Sequence, residues 1–223
     1  MASTEGEGIE GRCQVKIIDV DQRSPEWFAA RLGMLTGSCV AEAFSTIKKG
    51  ESAGRRNLRT RLMLERITGQ SQENGYHSLD MDRGIELEAE ACAAYESETG
   101  ILVQSVGFVV HDELMAGCSP DGLTLAGGIE VKCPKAANHL DYLRGGLPNE
   151  YFLQSVHGLW LTGRAWWDFV SYHPAFPEPL RLKVSRIHAK DVDLNAHELN
   201  VRLFLDEVAK EVESVNALMA VPA

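Results

Sequence analysis

The stretch from Ser119 to Pro134 constrains this chain more than any other. Ser119-Pro120-Asp121-Gly122 makes a bend, Gly127-Gly128 turns the chain back, and Ile129-Glu130-Val131-Lys132-Cys133 reads as a short strand halted by Pro134. Strand side chains alternate between faces, so Glu130 and Lys132 share one face while Ile129, Val131 and Cys133 share the other. A solvent-facing edge strand would give that pattern without any function. The hairpin changes the reading, because it presents the Asp121 carboxylate beside the strand. Two converging carboxylates repel one another unless a cation joins them. Magnesium suits such a place, with Asp121, Glu130, the Val131 carbonyl and several waters as hard oxygen ligands. Lys132 is no ligand while protonated, but it can orient or deprotonate an attacking water, or stabilise negative charge developing at phosphorus.

The flanking pattern predicts the scaffold. Ser24-Pro25-Glu26-Trp27 opens a helix with a serine cap and a proline in the first turn, ending near Gly33. Thr36-Gly37-Ser38 opens a second helix through Ala41 and Phe44. Helices follow over Arg55 to Ile67 and Asp82 to Thr99, with Gln70 to Leu79 as a polar loop between them. Ile101 to Val110 is apolar at nearly every position and reads as one strand covered on both faces. A helix over Glu150 to Leu161 precedes strands at Ala165 to Tyr172 and Leu180 to Arg186. An amphipathic helix from about Leu194 to Leu218 closes the chain. Helices, a cluster of strands, one helix, two strands and a final helix make an α/β or α+β domain around a central mixed β-sheet flanked by helices. Residues 1–12 are expected to be a flexible tail, and 13–223 a single domain.

Glu88 has Ile85, Ala91, Cys92 and Tyr95 as its helical neighbours, a largely apolar face on which an unpartnered carboxylate is costly. It is either hydrogen-bonded structurally or turned toward the same cation, where a third acid would allow a second metal. Gln154, with His157, Gly158 and Leu161 on its helical side, reads by itself as a satisfied core polar group, as does His157. Trp160, Trp166 and Trp167 read as packing residues. The five cysteines form no CxxC or CxxH pair and are expected to be reduced packing thiols, Cys118 and Cys133 included.

Bulk charge argues against a protein that coats a polyanion, since the net charge is -10. The charge is uneven, however. Lys48 to Arg66 carries seven basic residues, and Asp191 to Glu213 seven acidic ones. A local basic surface can therefore coexist with an acidic back. No window is apolar enough to span a membrane, and no export signal is written, so a cytoplasmic location is expected.

The segments Ser24 to Ser38, Gly84 to Glu88, Gly117 to Gly122, Glu130 to Pro134 and Gln154 to Trp160 resemble the ordered motifs of the bacteriophage lambda exonuclease and YqaJ-type viral recombinase family, within the restriction-endonuclease-like PD-(D/E)xK superfamily. A bare acid-x-lysine is weak. SPDG followed at this interval by IEVKCP is specific. The resemblance implies that Asp121 and Glu130 are metal ligands, that Lys132 is the catalytic lysine, and that Glu88 and Gln154 belong to the active site. It assigns Arg31, Ser38 and Ser119 to contacts with a 5'-phosphate. Without it, Arg31 is an ordinary surface arginine and Ser38 an ordinary helix cap. One departure lies after Pro134, where the family's arginine is replaced by Lys135-Ala136-Ala137-Asn138, so either Lys135 supplies that charge from a different register or the contact is weaker.

The resemblance further implies a magnesium-dependent 5'-to-3' exonuclease that degrades one strand of double-stranded DNA from a 5'-phosphorylated end. It would use one or two ions, with manganese able to substitute. It would leave a 3' single strand and hand it to a phage-type single-strand annealing protein. A homotrimer ring with basic inner surfaces would reconcile an acidic subunit with DNA retention, and Lys48 to Arg66 is the candidate for part of that surface. Two other readings stay open on the residues: a structure-specific or site-specific endonuclease on the same core, and a noncatalytic DNA-end-binding recombination protein.

Overall fold

The computed structural model describes residues 15–72 and 79–219, so the expected tail at 1–12 and much of the 70–79 loop lie outside the described residues. The strands form two four-stranded sheets. In the first, β1 (Val15–Ile18), β3 (Phe108–His111), β4 (Ala116–Cys118) and β2 (Leu35–Thr36) lie in that order. In the second, the order is β5 (Gly122–Leu123), β6 (Gly127–Lys132), β7 (Trp166–Tyr172) and β8 (Leu182–His188). β6 and β7 run parallel, joined by a crossover containing α5 (Ala136–Leu143) and α6 (Asn149–Thr162), whereas β5–β6 and β7–β8 are antiparallel. The mixed α/β architecture flanked by helices agrees with the sequence reading. The division into two sheets does not. It arises between β4 and β5, where Pro120 has no N–H to give a ladder and the Ser119 to Asp121 bend redirects the chain.

Caps explain where the helices begin and end. Ser24 caps α1 (Pro25–Arg31) by accepting from Trp27 N, and Ser52 caps α3 (Ala53–Thr68) by accepting from Arg55 N. α3 ends on Gly69, whose φ of 65° is the left-handed conformation glycine adopts most cheaply. α4 spans Leu79–Thr99 and α7 spans Leu194–Met219. The expected second helix is a 3-10 turn at Gly37–Cys39 followed by α2 (Val40–Ala43). The short α5 has no counterpart in the sequence reading.

The apolar run from Ile101 is the main correction. Only Phe108–His111 forms a strand, Leu102 is exposed, and Gln104 makes one isolated bridge to Leu123. A largely apolar run without a clean period does not separate strand from irregular chain.

α6 is the centre of the packing. Every residue from Ser155 to Leu161 is buried. A side chain at position 158 would put its Cβ about 2.5 Å from the Trp167 ring, so glycine there lets the helix press directly onto β7. The other face of β6 and β7 is covered by α4 through Ala91 and Tyr95, which cluster with Ile129, Val131, Val170 and Tyr172. Thus β6 is a central strand paired on both sides and covered on both faces, and the exposed-edge reading of Glu130 and Lys132 fails. Trp160 and Trp167 are buried, whereas Trp166 is half-buried under the Arg186 guanidinium, 3.8 Å from its ring centroid.

The basic and acidic runs meet one another. Arg55 makes a two-pronged contact with Glu207 of α7 at 2.6 and 3.0 Å, and Arg59 bonds Glu51 and reaches Glu211 at 3.4 Å. Arg66 donates to the Gly33 carbonyl. The Lys48 to Arg66 segment is therefore not a free basic surface: its inner arginines fasten α3 to α7, and Lys48, Lys49 and Arg56 remain exposed. Among the described residues, no helix is long and apolar enough to cross a membrane, and the four cysteines are free thiols. Burial, followed by the nearby Asp121 charge, pushes the Cys92 thiol up to about 12.

Behind α6, His157 Nδ1 lies 3.0 Å from His197 Nε2, both rings being buried against Trp160. Burial holds His157 well below the usual histidine range and lowers His197 to about 4. Because the folded value lies below the unfolded one, the stabilisation is complete above about pH 6.5 and is lost as pH falls toward 4. Acidification across that window should therefore remove roughly 3 kcal/mol through His197. Denaturant titrations of the parent and of His197→Gln at pH 7 and pH 4.5 check this: the variant should lose markedly less stability on acidification, and equal losses would refute the assignment.

Candidate active site

The bend between the two sheets is fixed from several sides. Gln22 Nε2 donates to the carbonyls of Pro120 and Val106, each at 2.9 Å, which ties the bend to the segment before α1. Asp121 N donates to Ile129 O at 3.2 Å, and Asp121 Oδ2 accepts from Val131 N at 2.6 Å. The Asp121 carboxylate therefore continues the β5 side of β6 by one side-chain bond. Within a strand a residue's N–H and C=O point to the same edge, so the Val131 carbonyl faces that way too.

Glu130 projects from the opposite face of β6 to Ile129 and Val131. It is 3% exposed, and its Oε1 accepts from Gln154 Nε2 of α6 at 2.7 Å and from Lys132 Nζ. The Lys132 ammonium lies 5.4 Å from the Tyr151 ring centroid, and Tyr151 stacks on Phe169 of β7. Burial taken alone would lower the Lys132 pKa. The charges of Glu130 and Asp121 outweigh it and hold the ammonium above its ordinary range. Asp121 is moved in the unfavourable direction: burial, then Glu130, push its carboxyl well above the usual carboxylate value, against the counter-effects of Lys132 and the Val131 N–H. Buried beside Glu130, the Asp121 carboxylate is left with unfavourable charge, which a divalent cation would relieve.

Beside the acids lies a second group of polar side chains. Ser119 Oγ accepts from Trp27 Nε1 at 2.9 Å and from Arg31 Nη1 at 3.0 Å, and the Arg31 guanidinium lies 4.0 Å from the Trp27 ring centroid, one helical turn away on α1. Ser38 sits in the 3-10 turn with its hydroxyl 3.3 Å from Thr36 Oγ1. It makes no helix-capping bond, so the ordinary-cap reading of Ser38 does not hold. Lys135 stands at the N-cap position of α5 without a side-chain cap bond.

Every residue assigned to the site from the sequence lines one of two adjoining cavities. The smaller holds Arg31, Ser38, Ser119, Asp121, Glu130 and Gln154, and the larger holds Ser38, Glu88, Asp121, Val131, Lys132, Lys135 and Gln154. Ser38, Asp121 and Gln154 belong to both walls, as does Arg23, which the sequence reading passed over. Gln22, Trp27 and Tyr151 were also missed in these roles, because each holds its partner through the fold and has no local pattern.

Of the two readings of Glu88, the hydrogen-bonded one describes the free protein, and the face it lies on is less covered than expected. The buried side of α4 is at Ala91 and Tyr95, whereas Ile85 is exposed and the Glu88 side chain is 28% exposed. Its carboxylate is not stranded in apolar surroundings: Glu88 Oε2 accepts from Arg23 Nη2 at 2.5 Å. Among the described residues, no three His, Cys, Asp or Glu side chains come together as a cage for an ion. Asp121 and Glu130 alone still fit magnesium, which usually takes one or two carboxylates and completes its shell with water and substrate phosphate oxygens.

The model of the YqaJ-like viral recombinase domain matches residues 26–165. Among solved structures, an alkaline exonuclease from Laribacter hongkongensis superposes with a TM-score of 0.79 at 38% identity, covering 88% of this chain and 98% of that one. The same enzyme in complex with dAMP gives 0.80 at 37% identity, with the same coverage. A phage-related exonuclease from Haemophilus somnus shares the fold at 13% identity, with a TM-score of 0.67 over 83% of this chain and 96% of that one. No curated protein sequence matches the chain significantly.

Proposed function

The chain belongs to the YqaJ-like viral recombinase family, and from that membership we propose that it is a magnesium-dependent exonuclease acting on double-stranded DNA from a 5'-phosphorylated end. The observation that carries the reading is the convergence of Asp121, Glu130 and Lys132 at one sheet break, with Arg31 and Ser119 on the adjoining wall. Asp121, Glu130 and the Val131 carbonyl would hold the ion, with manganese as a substitute. Bound there, it would supply Lewis-acid stabilisation of the phosphodiester and would lower the charge repulsion between the two acids. One ion suffices for the ligands that converge; a second would require Glu88 to leave Arg23.

The chain's own residues divide the remaining work. Lys132, held protonated by its acidic neighbours, stabilises negative charge growing on the scissile phosphate and orients the attacking water. Gln154 fixes Glu130 through its 2.7 Å bond, so that the acid keeps one position while the lysine moves to substrate. Water adds to phosphorus, the bond to the 3' oxygen of the terminal nucleotide breaks, and that oxygen takes up a proton. A 5'-mononucleotide departs. The shortened strand again ends in a 5'-phosphate, the group for which Arg31, Ser38 and Ser119 form a pocket, so each cut would regenerate the feature that was recognised. The dAMP bound in the Laribacter structure is a product of that class. A homotrimer ring, and delivery of the 3' strand to a single-strand annealing protein, extend this reading.

The decisive assay is time-resolved digestion of end-labelled linear duplexes, with and without 5'-phosphate and magnesium, beside a covalently closed circle. Magnesium-dependent release of mononucleotides from the 5' end with an intact circle is expected. Opening of the circle would replace the reading with an endonuclease, and no cleavage at all with a noncatalytic end-binding protein. Arg31→Ala should weaken use of phosphorylated ends by roughly 10- to 100-fold, the scale of losing a charged hydrogen bond, while rates on hydroxyl ends change little. Equal losses on both ends would refute a specific role in end recognition.

A further inference from the structure

Arg23 stands out among the residues facing the two cavities. Its φ of 70° makes it the one non-glycine residue with a positive φ among the described residues. Arginine in that conformation costs free energy that glycine would avoid, and strained backbone of this kind gathers at functional sites. Arg23 lines both cavities, as do Ser38, Asp121 and Gln154. There it meets Glu88 at 2.5 Å in a pair whose side chains are 44% and 28% exposed. An ion pair this open to water contributes little to stability, so stability does not account for the strained backbone.

The charges around the pair give a better account. Glu88, Asp121 and Glu130 face the cavities, and a phosphodiester entering them brings further negative charge. Lys132 rests on Glu130 and Arg31 on Ser119, and each already has a place in the reaction described above, at the scissile phosphate and at the 5'-phosphate. Arg23 rests on the Glu88 carboxylate, which is open enough to water on the cavity wall to be given up. A guanidinium matches the paired oxygens of a phosphate as well as those of a carboxylate.

We propose that Arg23 is a further substrate-binding residue, whose guanidinium rests on Glu88 in the free protein and transfers to a backbone phosphate of the DNA strand entering the site. This rests on the exonuclease reading above. The transfer releases Glu88 toward the cavity as the substrate arrives, so the third acid becomes available only when DNA is present. It also explains why Glu88 lines the site without joining Asp121 and Glu130 in the free protein.

The test is DNA binding without turnover, measured by fluorescence anisotropy of a 5'-phosphorylated duplex in EDTA and again in calcium. Arg23→Gly removes the guanidinium and suits the backbone, so its melting temperature should equal or exceed the parent's. Its affinity should fall about 10-fold, and the salt dependence of binding should become shallower by about one unit of log–log slope, the signature of one lost phosphate contact. In EDTA, Glu88→Gln should bind DNA more tightly than the parent because Arg23 is already released. That gain should vanish when Arg23→Gly is added. Parent-like affinity and slope in Arg23→Gly would overturn the proposal, as would the same gain from Glu88→Gln with and without Arg23. The parent's own magnesium-dependent digestion reports separately on the exonuclease reading, so the two can fail independently.

Discussion

Replacing Lys132 with alanine is expected to slow single-turnover cleavage of linear duplex by roughly 10²- to 10³-fold, the scale on which one charge-stabilising group in a desolvated site usually acts. The position gives the reason. Lys132 is fastened to Glu130, lies over Tyr151 and is held protonated by two acids, so it brings positive charge to phosphorus without having to gather it from water. End binding in calcium should change far less, because Arg31 and Ser119 lie on the other wall. Removing the ammonium also leaves Asp121 and Glu130 with less compensation, so the variant should bind magnesium at least as tightly as the parent. A folded Lys132→Ala protein that cleaves within a few-fold of the parent would end the assignment. Loss of cleavage accompanied by an equal loss of end binding would also count against it, since the lysine would then act on binding and not on the chemical step.

The parts of this site that were readable from sequence are those encoded over short distances. Period-two alternation placed Glu130 and Lys132 on one face, and the Ser119 to Gly122 bend brought Asp121 beside them; the structure adds only that β6 is interior, which a hexapeptide cannot reveal. Gln154 and Arg31 looked ordinary on their own helices, because their partners Glu130 and Ser119 are 24 and 88 residues away. The family motifs, and not periodicity, drew attention to them. Glu88 misled for a physical reason: α4 is covered over only part of its length, so an apolar neighbour such as Ile85 lies at the surface. Basic side chains misled similarly, since Arg55 and Arg59 in a charged run look solvent-facing until α7 is laid against them. Arg23 carried no signal at all, as nothing in Gln22-Arg23-Ser24 announces a left-handed backbone.

A second large effect is expected away from the chemistry, at Asp168. Its carboxylate is fully buried in β7, accepting from Tyr95 Oη at 2.8 Å and from Arg186 Nε and Nη2 at 2.8 and 2.7 Å. Asp168 pairs in register with Ile129, the residue before Glu130, so this network holds α4, β7 and β8 together directly behind the catalytic strand. Taking one partner out of a buried, fully bonded charge network commonly costs about 3–5 kcal/mol, because the groups left behind have lost water and gained nothing. Asp168→Ala strands the Tyr95 hydroxyl against an apolar floor and releases Arg186, which is partly exposed and can turn to solvent. Tyr95→Phe removes one donor and leaves the Arg186 fork in place, so it should cost only about 1 kcal/mol. Chemical denaturation should therefore rank the parent above Tyr95→Phe and Tyr95→Phe well above Asp168→Ala. The network also fastens the helix that carries Glu88, two turns before Tyr95, to the sheet that carries Glu130. A loosened network should then blunt cleavage even at temperatures where Tyr95→Phe remains folded, with end binding less affected. If Asp168→Ala lost under 1 kcal/mol, the buried carboxylate would not be the tie between α4 and the sheet, and the packing of Ala91 and Tyr95 on Ile129 and Val131 alone would have to position Glu88.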